Sequence, residues 1–82
     1  MRKERREAYD VLLRELAEAR KKAELSQREV AARLGALQQF WSKVESGERR
    51  IDFVELVAVS EVLPINLNAL VKKLKKALHT AR

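Results

Sequence analysis

Ser26 to Gly35 carries both a start and a stop for one short helix, and this punctuation constrains the chain more than any other feature. In Ser26-Gln27-Arg28-Glu29 the serine hydroxyl can accept a backbone N–H of the first turn. Glu29 can return a bond to the Ser26 N–H, which completes a capping box. Leu25 and Val30 flank it as a hydrophobic staple. The helix is predicted to run to Leu34, where Gly35 supplies a left-handed cap at no steric cost. After only Ala36-Leu37 the apolar period resumes, from Gln38 to about Glu45. Trp41 and Val44 face inward, and Gly47 ends this third helix.

A helix precedes this pair and two follow it. Over about residues 4–23, Tyr9, Leu12, Leu13, Leu16, Ala17 and Arg20 fall at helical spacing, and Glu18 precedes Lys22 in the favourable i,i+4 order. Asp52 and Glu55 form a second capping box, with Ile51 and Leu56 as its staple. That fourth helix runs to about Leu63, because Pro64 pushes the residue before it out of helical geometry. Asn66 caps a fifth helix with the stripe Leu67, Leu70, Val71, Leu74 and Leu78. Lys72, Lys73, Lys75 and Lys76 lie largely off that stripe. No strand signal and no repeat appears. The expected fold is all-α. Residues 1–8 read as a charged, frayed extension, 9–78 as the domain and 79–82 as a tail.

Composition removes whole classes of chemistry. The chain has 82 residues and no cysteine, so it has no disulfide framework, thiol nucleophile or thiolate zinc site. His79 alone cannot build a metal site. No phosphate-binding glycine loop and no nucleophile–base set is present, so no enzyme, metal, cofactor or small-molecule site is expected. No apolar run approaches the roughly 18 residues of a membrane span. The basic start lacks the apolar stretch of a signal peptide, which makes the cytoplasm the default compartment.

The net charge of +6 lives at the two ends. Residues 1–23 hold 8 basic and 5 acidic side chains, residues 24–61 hold 5 and 7, and residues 62–82 hold 5 and none. A basic balance favours polyanionic partners. The middle is slightly acidic, however, so nucleic-acid binding must depend on where individual charges face.

Two short helices joined by a glycine turn meet the requirements of a helix-turn-helix. The motif needs a small residue at the close approach, a turn residue tolerant of positive φ, and apolar side chains wherever the pair meets the core. Ala31, Gly35 and the inward set Val30, Leu34, Ala36, Trp41 and Val44 satisfy them. The outward positions of the second helix of the pair are Gln38, Gln39, Ser42 and Lys43.

The run LSQREVAARLG, followed by QQFWSKVESGERR, resembles the helix-turn-helix of the phage-repressor and Cro family, also called the xenobiotic-response-element family. The resemblance extends over about residues 9–78. It implies a five-helix repressor-like bundle with the motif in helices two and three. It also implies a double-stranded DNA partner and a transcriptional regulator, a repressor, acting as a homodimer on a pseudo-palindromic operator. Gln38 and Gln39 match the family's base readers, and a glutamine amide can both donate to and accept from adenine in the major groove. Lys43 can reach guanine or a phosphate. Gln27 matches a phosphate-contacting glutamine, Ser42, Ser46, Arg49 and Arg50 stand at backbone-contacting sites, and Arg28 is a weaker phosphate candidate. Arg20 and Glu45 match a buried ion pair, the bland alternative being two separate surface charges.

Four residues depart from the family pattern. Glu24 stands where a capping glycine is usual, and Leu37 where serine, threonine or proline starts the recognition helix. Trp41 replaces a β-branched aliphatic, with the smaller Ala36 as the neighbour that makes room. Pro64 replaces a further glycine. The apolar richness of the fourth and fifth helices suggests a dimer interface including Val54, Val57, Leu70 and Leu74. Two other readings use the same fold: a protein-interaction module of the antitoxin or adaptor kind, and a redesigned scaffold with weakened DNA binding.

Overall fold

The computed structural model describes residues 3–80. It contains five helices in chain order: α1 (Lys3–Lys22), α2 (Gln27–Arg33), α3 (Gln38–Ser46), α4 (Phe53–Val62) and α5 (Leu67–Thr80). No strand occurs among the described residues.

The helix boundaries follow from local chemistry. Ser26 Oγ accepts from the Glu29 N–H at 3.0 Å while Glu29 accepts from the Ser26 N–H at 2.9 Å. Asp52 and Glu55 make the equivalent exchange at 2.7 and 2.9 Å. Asn66 Oδ1 accepts from the Ala69 N–H at 3.0 Å and starts α5. At the close of α2, Gly35 has φ +69°. The N–H groups of Gly35 and Ala36 there return to the carbonyls of Ala32 and Ala31. Leu63 is extended ahead of Pro64 (φ −112°, ψ 154°), as the proline requires.

The core gathers one face of every helix. Leu16, Val30, Trp41, Val44 and Val59 are fully enclosed, with Leu12, Leu25, Leu56, Leu63 and Leu70 around them. Burying a side chain of this size contributes roughly 1.5–3 kcal/mol relative to leaving it exposed. Ala31 is also enclosed, and this lets the α2 backbone approach its neighbours. The α5 helix packs chiefly against α1, and Lys73 Nζ reaches Glu15 Oε1 across that seam at 2.8 Å.

Several expectations are corrected. The buried line of α1 is Ala8, Leu12, Leu16 and Ala19, while Leu13 and Ala17 are only half-buried. Leu13 turns toward the end of α3, where its Cδ1 would lie 3.0 Å from a Cβ placed on Gly47. The expected frayed extension is helical from Lys3, and Ala8 is already in the core. Residues 1 and 2 of that segment lie outside the described residues, as do residues 81 and 82 of the expected tail, whose His79 and Thr80 continue α5. Leu70, expected at a dimer surface, is only 4% exposed. The apolar stripe of α5 is used against the domain's own core, and Leu74 packs there as well.

The junction of α1 and α2 holds the one non-glycine residue in the left-handed region among the described residues, Glu24 at φ +58°. The N–H groups of Glu24 and Leu25 return to Lys21 and Arg20 carbonyls, at 2.9 and 3.2 Å. This is a Schellman motif built without its usual glycine. A left-handed L-residue costs about 1–2 kcal/mol, and glycine's looser unfolded chain returns part of that gain. Glu24→Gly is expected to stabilise the fold by about 0.5–1 kcal/mol, read as a higher midpoint in urea with an unchanged slope.

Candidate nucleic-acid interface

Three helix ends converge on one carboxylate. Glu45 lies in the last turn of α3, Arg20 in the last turn of α1, and Gln27 at the first position of α2. Arg20 donates from Nε to Glu45 Oε2 at 2.6 Å and from Nη2 to Oε1 at 3.2 Å. Gln27 Nε2 donates to Oε1 at 3.2 Å, and Trp41 Nε1 donates to Oε2. Arg20 Nη1 also donates to the Leu25 carbonyl at 2.9 Å. The Glu45 side chain is 8% exposed and that of Arg20 15%, so the pair is a near-buried charge-assisted fork. Among the described residues no buried side-chain nitrogen or oxygen lacks a partner.

Burial pushes the Glu45 carboxyl upward, but the hydrogen bonds from Arg20, Gln27 and Trp41 outweigh it. The group is held below the ordinary 4.5 of a glutamate. Two members of this cluster were not legible as such. The indole N–H of Trp41 reaches Glu45 one turn along α3, an i,i+4 spacing that could have flagged it. Gln27, expected at phosphate, instead turns its amide to Glu45.

The opposite end of α3 faces outward. Leu37, at its N-cap, is 76% exposed and makes no side-chain cap bond. Gln38 and Gln39 are exposed, and together with Leu37 and the half-buried Ser42 they line one open depression. Ser42 Oγ donates to the Gln39 carbonyl at 3.3 Å. Lys43, one turn on, is exposed and lies 3.7 Å from Glu48.

The expected backbone-contacting residues are not equivalent. Arg28 is exposed, and its side chain makes no hydrogen bond or ion pair among the described residues. Ser46 Oγ donates to the Lys43 carbonyl at 3.0 Å and accepts from the Glu48 N–H at 3.3 Å. Arg49 is engaged on all sides. It forks onto Glu55 at 3.0 and 2.9 Å, donates to the Arg50 carbonyl at 2.7 Å and stacks over Phe40 at 4.6 Å. The hydrogen bonds from Arg49, then that from the Asp52 backbone, hold the Glu55 carboxyl below 4.5. Arg50 lies over the Tyr9 ring at 4.5 Å, and the Tyr9 hydroxyl oxygen accepts from the Ile51 N–H at 3.1 Å. Ala36 lines a surface pocket of about 310 Å³ with Leu34, Phe40, Arg49, Glu55, Ala58 and Val59.

A family model described as a helix-turn-helix domain matches residues 11–64, more than half of the chain. The chain belongs to that helix-turn-helix family. The match is consistent with a repressor and Cro type of domain, and it spans α2, α3 and their turn together with α4 and most of α1. No curated protein matches the sequence significantly. Among the described residues no helix is long and apolar enough to cross a membrane.

The Glu45 cluster generates two expectations. Its folded pKa is depressed, so its stabilising contribution is complete above the unfolded value near 4.5 and is lost as pH falls through the lower folded value. Glu45→Gln should therefore flatten the acid limb of a stability–pH curve measured below about pH 4.5. Removing one member of a buried pair typically costs about 3–5 kcal/mol, against about 0–1 for an exposed one. A double-mutant cycle with Arg20→Met and Glu45→Leu should show strong coupling. A coupling of only a few tenths of a kcal/mol would mean that the pair adds nothing.

Proposed function

We propose that this protein is a sequence-specific, double-stranded-DNA-binding transcriptional regulator. It acts as a repressor and homodimer on a pseudo-palindromic operator, with α3 reading the major groove. One observation carries the reading: the N-terminal end of α3 presents exposed amides while its C-terminal end is clamped by four hydrogen bonds from three side chains onto Glu45. Exposed glutamines on a rigid helix of this length suit base edges. Gln38 and Gln39 read bases, and Lys43 reaches guanine or phosphate once released from Glu48. Arg28, Ser42, Ser46 and Arg50 supply backbone contacts, with Arg28 ahead of Arg49 because Arg49 is already held by Glu55.

A single short recognition helix reads few base pairs, so specificity asks for two half-sites about 34 Å apart. The surface for a second copy is the outer face of α4, where Phe53 is 71%, Val54 77% and Val57 37% exposed. An apolar face of this kind usually marks an interface. The same face would serve a different protein partner in an antitoxin-like or adaptor role, and a redesigned scaffold would select no site at all.

Selection from a random duplex library followed by salt titration tests the reading. The expected product is a pseudo-palindrome whose affinity falls steeply with salt, as counterion release demands. Gln38→Ala should relax preference at one base pair per half-site, whereas Arg28→Ala should weaken all sequences alike. Identical behaviour of the two variants across a site library would overturn the roles. Val54→Glu should convert the dimer to monomer in sedimentation and weaken operator binding at least tenfold. A variant that stays dimeric would place the interface elsewhere.

A further inference from the structure

Between the α2–α3 turn and α4 the surface opens into a pocket of about 310 Å³. Its apolar walls are Leu34, Ala36, Phe40, Ala58 and Val59. Two of these, Ala36 and Ala58, end at a methyl group and leave the space between the elements unfilled. The polar side chains on the pocket are Arg49 and Glu55. A concave, mostly apolar site with a few fixed polar groups has the make-up of a small-molecule site. The volume is sufficient, since an apolar cavity of roughly 150 Å³ already holds benzene.

The electrostatics of the rim select the ligand. Arg49 donates from Nη1 and Nη2 to Glu55 at 3.0 and 2.9 Å, and Glu55 also accepts from the Asp52 N–H at 2.9 Å. Each charge is therefore answered within the domain. A ligand carboxylate would have to displace Glu55, and a ligand ammonium would have to displace Arg49. Whichever group was displaced would lose its charge-assisted bonds. A neutral ligand leaves the fork intact and is its electrostatic complement. The Arg49 guanidinium already lies over the Phe40 ring, at 4.6 Å from its centroid. A flat aromatic ligand beside Phe40 extends that stack, because ring faces and edges attract one another and a cation.

We propose that this pocket is a binding site for a neutral, flat aromatic molecule of one or two fused rings. The inference goes beyond the DNA-binding reading and does not rest on it. The site nevertheless adjoins the reading surface, since Phe40 follows Gln38 and Gln39 at the start of α3.

The test titrates the full chain with indole and follows backbone amide resonances. Saturable shifts are expected at Ala36, Phe40 and Ala58, with a Kd below about 1 mM, a reasonable strength for so small a ligand. Indole-3-carboxylate, which adds one charge to the same rings, should bind at least about tenfold more weakly. Ala58→Leu fills the pocket from α4 with another good helix former, and Ala36→Leu fills it from the turn. A variant that keeps the wild-type urea midpoint should bind indole at least about tenfold more weakly. Val54→Glu, outside the pocket, should leave indole binding unchanged.

Shifts confined to Phe53, Val54 and Val57 would mean adhesion to the outer face of α4 and overturn the proposal. So would equal binding of the charged analogue, or undiminished binding by both folded pocket-filling variants. Indole affinity that falls as protein concentration rises would assign the pocket to a second copy of the chain and overturn it as well. None of these results bears on whether the chain selects a duplex.

Discussion

The four-way hydrogen bonding of Glu45 is the interaction on which the arrangement of the first three helices depends. A carboxylate at the C-terminal end of a helix meets the negative end of the helix dipole, and burial adds a desolvation penalty. Neither is tolerable for an unpaired group. Arg20, Gln27 and Trp41 remove both problems, and each comes from a different place: the end of α1, the start of α2, and one turn back along α3. The carboxylate therefore fixes the distance between three helix ends that share no covalent neighbour. Arg20 extends this control to the α1–α2 junction by binding the Leu25 carbonyl. That junction is where the chain accepts the left-handed Glu24, held by the bonds that its own N–H and that of Leu25 return to the end of α1.

A second set of constraints lies in the caps. The α2 helix is too short to persist alone. It is held by the reciprocal Ser26–Glu29 bonds at one end, the Gly35 turn at the other, and the buried Val30 and Ala31 between them. The α4 helix uses the same device through Asp52 and Glu55, but Glu55 also binds Arg49, which in turn covers Phe40. A cap, an ion pair and an aromatic contact thus tie the loop after α3 to the start of α4. This pinning explains why Arg49, one of the more obvious cations in the sequence, is the least available of those near α3.

The division between what could and could not be read from the residues follows from the range of each interaction. Helix starts and stops are local: capping boxes, the glycine at +69° and the proline after Leu63 involve neighbours within a few positions, so all five helices were legible. The pairing of Arg20 with Glu45 was suggested by resemblance and by an arginine lying on an apolar stripe. Its extension to Trp41 and Gln27 depends on how α2 and α3 rotate, which no local pattern encodes. Similarly, Leu13 and Ala19 are both plausible core residues of α1. Only the position of the Gly47 turn decides that Leu13 leaves the central line. Apolar richness was the weakest guide: Leu70 and Val54 look alike in sequence, yet one is enclosed and the other is 77% exposed, because α1 covers one face of α5 while the outer face of α4 is left open by the described residues.

The acidic middle of the chain loses its apparent conflict with a polyanionic partner once the individual carboxylates are placed. Of the seven acidic residues between positions 24 and 61, Glu29, Asp52 and Glu55 are held in capping boxes and Glu45 is enclosed by its three donors. Four of the seven are therefore engaged by backbone N–H groups or by side-chain donors. The cations are affected as well, since Arg49 is neutralised by Glu55 and Lys43 lies near Glu48. What remains outward at the start of α3 is nearly neutral: two amides, a hydroxyl and a leucine. Attraction to a polyanion by charge alone falls off quickly beyond a Debye length of about 8 Å at physiological salt, and it does not distinguish one sequence from another. On the proposed function, a neutral surface flanked by more distant cations such as Arg28 would separate the two tasks: long-range attraction would come from the basic flanks, and discrimination from hydrogen-bond complementarity at the tip of α3.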